Sequence, residues 1–293
     1  MKNILGIDIG GTSIKFGVLS KNGEIIFKDK MKTLMDGEYI IKSICFLFNE
    51  NKEKYSLEGI AISAPGFINV DTGYMRTGGA IMDFYDFNLK EVLVERLNTK
   101  VEIENDANCV VLAEKWLGNA KECKNFMAMT IGTGIGGGIY INDSLYRGAK
   151  FGAGEFGFMI THGISNNVIE QCTMSQTGST RGIREDYAKS IGEDIENING
   201  EYLFEQYGKG DIIAESVINK FYEVLTIGIY NLFFIMDPEK ILIGGGVSER
   251  EDLIPEIKRR LKAFTKDEIN LEACKFSNDS GIIGAVKNYI DRN

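Results

Sequence analysis

A strand that runs into paired glycines and returns at once as a second strand occurs twice in this chain. In the first copy Ile4, Leu5, Ile7 and Ile9 lead into Gly10-Gly11-Thr12, and Ile14, Phe16 and Val18 alternate on the way out. Alternation with a period of two marks half-buried strands, and the short glycine turn folds them into a hairpin. In the second copy residues 126–141 again read apolar strand, glycine turn, apolar strand. Ile7-Asp8-Ile9-Gly10-Gly11-Thr12 falls on Met129-Thr130-Ile131-Gly132-Thr133-Gly134 at a shift of 122 residues. The match is short, and a coincidence between two glycine hairpins is the plain alternative to an internal duplication. Two such turns one domain-length apart fit two halves that face each other across a cleft.

The 293 residues suffice for two domains. With only three prolines there is no Pro-rich linker, so two domains must pack as one body. A third strand is expected over 24–27, a helix over 39–48, and a buried strand over 59–63 that stops at Pro65-Gly66. A helix over 89–97 and a strand over 101–104 follow. After the second hairpin the pattern is mostly helical through 221–236. A strand over 240–243 then runs into Gly244-Gly245-Gly246, ahead of helices over 252–264 and 282–290.

Composition removes several function classes. A net charge of −9 argues against a nucleic-acid binder, which needs a basic footprint. Cys45, Cys109, Cys123, Cys172 and Cys274 form no CxxC pair, so neither a disulfide framework nor a zinc knuckle is indicated. Met1-Lys2-Asn3 leads directly into a strand interrupted by Asp8, which is no leader pattern. The longest apolar stretch, 227–236, is too short to span a membrane. A cytoplasmic protein without membrane or nucleic-acid partners is expected.

The candidate chemistry lies at strand ends. Three glycine-rich turns follow apolar strands: Gly10-Gly11-Thr12, Gly132-Thr133-Gly134 and Gly244-Gly245-Gly246. Glycine lets backbone N–H groups approach an anion, and Thr12 and Thr133 add hydroxyls. One such turn is an ordinary hairpin; three point to a nucleotide. Neither a P-loop nor a GxGxxG that opens a helix is present, so hairpins must form the phosphate cradle. Asp8, on an apolar strand beside the first turn, needs a partner; Mg²⁺ reached through water provides one, and capping of its own turn is the alternative. Glu104-Asn105-Asp106-Ala107-Asn108 follows a strand and opens a helix. Asp106 as a base on an alcohol and Asn105 as a hydroxyl ligand stand level with a simple helix cap. Glu155, in Gly152-Ala153-Gly154-Glu155-Phe156-Gly157, reads as a sugar-hydroxyl acceptor or a turn residue. The single histidine, His162, reads as surface or structural.

Asp8-Ile9-Gly10-Gly11-Thr12, Pro65-Gly66, Glu104-Asn105-Asp106-Ala107-Asn108, the glycine run 130–138, Gly152-Ala153-Gly154-Glu155, Pro238-Glu239 with Gly244-Gly245-Gly246-Val247, and Asn278-Asp279-Ser280-Gly281 resemble, in order, the motifs of the ROK family (repressor, open reading frame, kinase). The resemblance covers essentially the whole chain. It implies an α/β fold of two actin-like (ribonuclease H-like) lobes, 1–116 with 276–293 and 117–275, with ATP and a hexose in the cleft between them. It implies Asp106 as general base on the sugar 6-hydroxyl, with Gly79, Asn105, Glu155 and Ser175 around the sugar. Gly10, Gly11, Thr12, Lys15, Thr133 and Gly134 would hold phosphates, and Gly244, Gly245 and Gly246 would line the adenosine. Asp8 would orient hydrated Mg²⁺, and the protein would be a homodimer. The family's repressors carry an N-terminal helix-turn-helix domain; with Asp8 already in the first phosphate loop, none is expected here. A sugar sensor without catalysis is the non-enzyme alternative, against which retention of Asp8 and Asp106 weighs.

Two features depart from the family pattern. Phe158 stands where members carry a histidine after the glutamate, and Cys172 stands alone where they carry a zinc-binding cysteine cluster, so no structural zinc is expected. Ser175 stands where they carry a sugar-binding glutamate. These features resemble a zinc-free subgroup that includes N-acetylmannosamine kinases and β-glucoside kinases. Gly78-Gly79-Ala80, where many relatives are bulkier, would leave room for an N-acyl group, and the same room would admit an aglycone. N-acetylmannosamine is therefore the first expectation, a β-glucoside the second and glucose the third.

Overall fold

Each glycine hairpin is part of a five-stranded sheet. The computed structural model of the chain describes residues 2–161, 163–164 and 168–293. In chain order the first part contains β1 (Asn3–Ile9), β2 (Ser13–Leu19), β3 (Ile25–Lys32), α1 (Gly37–Lys52) and β4 (Leu57–Ala64). A small sheet of β5 (Ile68–Asn69), β6 (Tyr74–Met75) and β7 (Phe87–Asn88) comes next, then α2 (Leu89–Leu97), β8 (Lys100–Asn105) and α3 (Asp106–Leu117). The second part contains β9 (Phe126–Ile131), β10 (Ile135–Ile141), β11 (Ser144–Tyr146), α4 (Met174–Gly178), α5 (Thr180–Ile191), α6 (Gly200–Gly208) and α7 (Ile212–Met236). It ends with β12 (Lys240–Gly244), α8 (Leu253–Leu261), β13 (Leu271–Ala273) and α9 (Ser280–Arg292).

The two large sheets share one design. The first has the order β3-β2-β1-β4-β8 and the second β11-β10-β9-β12-β13. In each, an up-and-down hairpin of three strands is extended on its first strand by two parallel strands. This common order gives the short sequence match at the hairpins a structural counterpart. Two compact units result, Met1–Glu122 with Ile139–Ala153 and Asn278–Asn293, and Cys123–Gly138 with Gly154–Ser277. Ile139–Ala153 thus clusters with the first unit, although it lies inside the sequence range expected for the second lobe.

In β1, Leu5, Ile7 and Ile9 enter a core with Ile40, Ile44 and Phe48 of α1. Each fully buried aliphatic side chain there contributes roughly 1.5–3 kcal/mol. The intervening residues face the other side of the sheet, as a period of two requires. There α9 packs on β1, β4 and β8 and against α3. The approach is close: a Cβ on Gly59 would stand 2.3 Å from the Tyr289 hydroxyl. Helix starts are written in short polar residues. Asp36, Asn88, Asn105, Asn199 and Asp211 each accept a first-turn N–H and stop its desolvation from opposing the helix. Among the described residues no helix is long and apolar enough to cross a membrane.

Candidate active site

In the first unit three parallel strands end level with one another. Asp8 of β1 lies opposite Ser63 of β4, Ser63 lies opposite Glu104 of β8, and Ala64 lies opposite Asn105. Two strand spacings separate Asp8 from Glu104, about 10 Å. The carboxyl edge of a parallel sheet therefore carries the two acidic motifs that the sequence separates by nearly a hundred positions.

Asp8 is held from several sides. The Ser63 hydroxyl donates to its Oδ1 at 2.7 Å, and the Lys15 ammonium stands 3.8 Å from Oδ2. Lys15 is the cross-strand partner of Asp8 in the hairpin and also donates to Asn278 Oδ1 at 3.1 Å. Burial pushes the Asp8 carboxyl above its ordinary value, with Ser63 and Lys15 pulling the other way. Beside it the turn is pinned by Gly10 N–H donating to Ser13 O at 3.1 Å and Thr33 OH donating to Gly10 O at 2.7 Å. Gly11 and Thr12 are exposed. A cleft of about 510 Å³ opens here, lined by Gly10, Thr12, Lys15, Lys28, Lys30 and Asn278 among others. Three lysines around one glycine turn form a local cationic field in an acidic chain, suited to a polyphosphate. Lys28 and Lys30 escaped sequence reasoning because only the β2–β3 register sets Lys30 opposite Lys15.

The cluster after β8 resolves into separate tasks. Asn105 is the cap of α3: its Oδ1 accepts from Ala107 N and Asn108 N, and its Nδ2 donates to Gly66 O at 3.0 Å. Asp106 is the first helical residue, exposed, and its Oδ1 accepts from Ala107 N at 2.8 Å. The carboxylate sits at a helix N-terminus, which favours the ionised form a base requires.

In the second unit the turns after β9 and β12 lie side by side, since Thr130 pairs with Gly244. Gly245 has φ +86°, and a Cβ there would stand 2.3 Å from Ile131 O, so only glycine fits. A cavity of about 560 Å³ adjoins both turns, with Gly132, Thr133, Gly246, Arg184, Phe204 and Arg250 in its wall. The Arg250 guanidinium stacks 3.8 Å from the Phe204 ring centroid. Size and mixed lining suit a nucleoside. Phe204 and Arg250 had no sequence signal, because α6 and the turn after β12 meet only in the folded chain.

Glu155 follows Gly154, which has φ +84°, and opens a short turn of helix over Phe156–Phe158. Its carboxylate is mostly buried and has no hydrogen-bond or ion-pair partner among the described residues; burial pushes it above the ordinary glutamate value. A carboxyl raised in the folded state makes its charged form a cost to folding. That cost is absent below the ordinary value, grows as pH rises from the ordinary to the raised one, and is constant above it. Glu155→Gln is therefore expected to raise Tm near neutral pH. Thermal scans across pH check this: the gain must vanish in acid, and sugar turnover must fall at the same time.

Two other candidates are engaged by atoms of the protein itself. Ser175 Oγ accepts from Ile135 N at 2.7 Å, so it ties α4 to the end of the glycine turn. A Cβ on Gly78 would stand 2.3 Å from Ile81 O, and one on Gly79 (φ +60°) 2.8 Å from Pro65. The directions a side chain would take at Gly78 and Gly79 are thus filled by Ile81, Phe84 and Pro65. Phe158 is exposed, Cys172 is buried, and His162 lies outside the described residues. Among the described residues no cluster of three or more His, Cys, Asp or Glu side chains could hold a metal.

The profile of the ROK family matches residues 4–291. A β-glucoside kinase of Listeria innocua is 40% identical over 288 residues, which cover 98% of this chain and 97% of that one. A solved structure from Listeria monocytogenes, assigned provisionally as an N-acetylmannosamine kinase, is 40% identical, superposes with a TM-score of 0.94 and covers 99% of each chain. A ROK glucokinase of Streptomyces griseus, solved with glucose and AMPPNP, is 25% identical with a TM-score of 0.84 over 97% of this chain and 98% of that one.

Proposed function

This chain belongs to the ROK family and is a hexose kinase; we propose that it transfers the γ-phosphoryl group of ATP to the 6-hydroxyl of a β-glucoside. The observation that carries the chemistry is the shared sheet edge, which sets an exposed helix-terminal carboxylate, Asp106, beside a lysine-ringed glycine turn with Asp8 at its base.

In this reading Asp106 takes the proton of the sugar hydroxyl as it attacks phosphorus, while Asn105 and Glu155 bind neighbouring hydroxyls. Gly79 acts through its loop, whose carbonyl already accepts from Tyr85 OH at 3.2 Å. Within the first unit Gly10, Gly11, Thr12 and Lys15 hold phosphate oxygens; within the second, Thr133 and Gly134 form the other phosphate turn, and Gly244, Gly245 and Gly246 face the nucleoside. Phosphoryl transfer asks little covalent chemistry of a protein, so positioning and charge neutralisation carry most of the acceleration. Mg²⁺ fits Asp8: such ions are held by one or two carboxylates plus substrate phosphates, and Asp8 is one fixed carboxylate at the phosphate turn. When bound there, Mg²⁺ neutralises phosphate charge. ATP as donor supports a cytoplasmic setting for the reaction.

The choice of β-glucoside over N-acetylmannosamine reverses the first expectation. It is supported by the names of two relatives, 40% and 39% identical over 98% of this chain. N-acetylmannosamine stays as the second reading, favoured by the Listeria monocytogenes structure. The test is ATP consumption with cellobiose, methyl β-glucoside, glucose and N-acetylmannosamine. A β-glucoside is expected to lead in kcat/KM by about tenfold or more, the scale that one pocket contact gives. A lead for N-acetylmannosamine would reverse the assignment.

A further inference from the structure

The buried carboxylate of Glu104 precedes the Asn105-Asp106 turn and is 1% exposed. An ionised group so deep requires charged and hydrogen-bonding partners. It has three. Asn105 N donates to Oε1 at 2.8 Å, Asn108 Nδ2 donates to the same oxygen at 3.1 Å, and Arg147 Nε donates to Oε2 at 2.7 Å. The same guanidinium reaches Asn288 Oδ1 of α9 at 3.3 Å. Arg147 lies immediately after β11, and its backbone carbonyl accepts from Ala153 N at 3.1 Å. That bond closes the loop two residues before Glu155 in the chain.

We propose that Arg147 is a positioning residue for phosphoryl transfer: through Glu104 it fixes the Asn105-Asp106 turn and so the direction of the Asp106 carboxylate. The inference rests on Asp106 being the base. Glu104 grips the turn on both sides of Asp106, at the backbone of Asn105 and the side chain of Asn108. Neither contact determines where Glu104 itself sits. Arg147 does, because its planar fork binds the carboxylate and the α9 asparagine at once. A lysine keeps the charge but has no fork to make both bonds. Among the described residues Asn108 Oδ1 and Asn288 Nδ2 are buried without hydrogen-bond partners, so the cluster is already short of bonds and losing one from Arg147 leaves a further buried polar atom unpaired.

The test is a double-mutant cycle on the full chain with Arg147→Lys and Asp106→Asn, reading kcat, both KM values and Tm. Arg147→Lys alone is expected to lower kcat by about 10–10²-fold, the scale of a misplaced catalytic group. KM for Mg-ATP and Tm should stay close to the parent. In the Asp106→Asn background the same substitution is expected to change the residual kcat by less than about threefold, since the group it acts through is already gone. An equal loss in both backgrounds overturns the proposal and leaves the base assignment standing. Parental kcat in Arg147→Lys also overturns it. Parental kcat in Asp106→Asn removes the base assignment and this proposal with it. If Arg147→Lys yields no folded protein, Glu104→Gln, which keeps the shape and loses the charge, enters the same cycle with the same expected pattern.

Discussion

Asp106→Asn is expected to lower kcat by about 10²–10⁴-fold, the range that a positioned general base contributes. The substitution keeps the shape of the side chain and removes its ability to take a proton. The fold gives reason to expect little else. Asn105, not Asp106, caps α3, and the bond that Asp106 Oδ1 accepts from Ala107 N can be accepted by an asparagine oxygen. Loss of a negative charge at a helix start costs about 0.3–1 kcal/mol. Tm and the KM for Mg-ATP should therefore stay near the parent while turnover collapses. Steady-state kinetics with saturating sugar, beside a thermal melt, makes the comparison. Turnover within a few-fold of the parent would show that another group accepts the proton, or that none is needed.

Gly281→Ala is expected to cost about 10²-fold in kcat/KM for Mg-ATP, though by helix propensity it looks harmless. Gly281 is the second residue of α9, where alanine is ordinarily better than glycine by about 1 kcal/mol. Here a Cβ would stand 2.4 Å from Asp8 Cγ and 2.5 and 2.8 Å from its two carboxylate oxygens. Asp8 has a short side chain already held by Ser63, and α9 is packed on β1, β4, β8 and α3. The carboxylate must swing away from the phosphate turn, and a displacement of about 1 Å at a reacting centre is worth about 10²-fold. The Mg²⁺ concentration for half-maximal activity should rise with it. Circular dichroism and a thermal melt check that the helix survives. Full activity in a folded variant would mean that Asp8 acts from more than one position, against its proposed role.

Much of this was legible before any coordinates. The alternation of Ile4 to Val18, the glycines at 10 and 11 and their echo at 132 and 134 are local signals, because strand period and turn conformation depend on neighbours in the chain. They placed β1, β2, β9 and β10 and pointed to Asp8 as a partnered carboxylate. The order of motifs carried the family, and with it Asp106. Local signals could not divide Asn105 from Asp106, since both residue types cap helices and both precede the same apolar run. The division came from Gly66, which holds the Asn105 carboxamide from 39 positions away.

Other features depend wholly on which strands became neighbours. Ser63 meets Asp8 because β4 lies beside β1, and Lys30 meets Lys15 because β3 lies beside β2. Phe204 meets Arg250 across the nucleoside-sized cavity although 45 residues lie between them, and Arg147 meets Glu104 from 43 positions along the chain. The glycines at 78 and 79 show the limit from the opposite side. Their small size is plain in the sequence, but whether it serves a ligand or the protein's own atoms is not. Period, propensity and capping act over a few residues and so specify elements. Register and close approach are set by the packing of whole sheets and helices, where a single Cβ 2.3 Å from a carbonyl decides what can occupy the space.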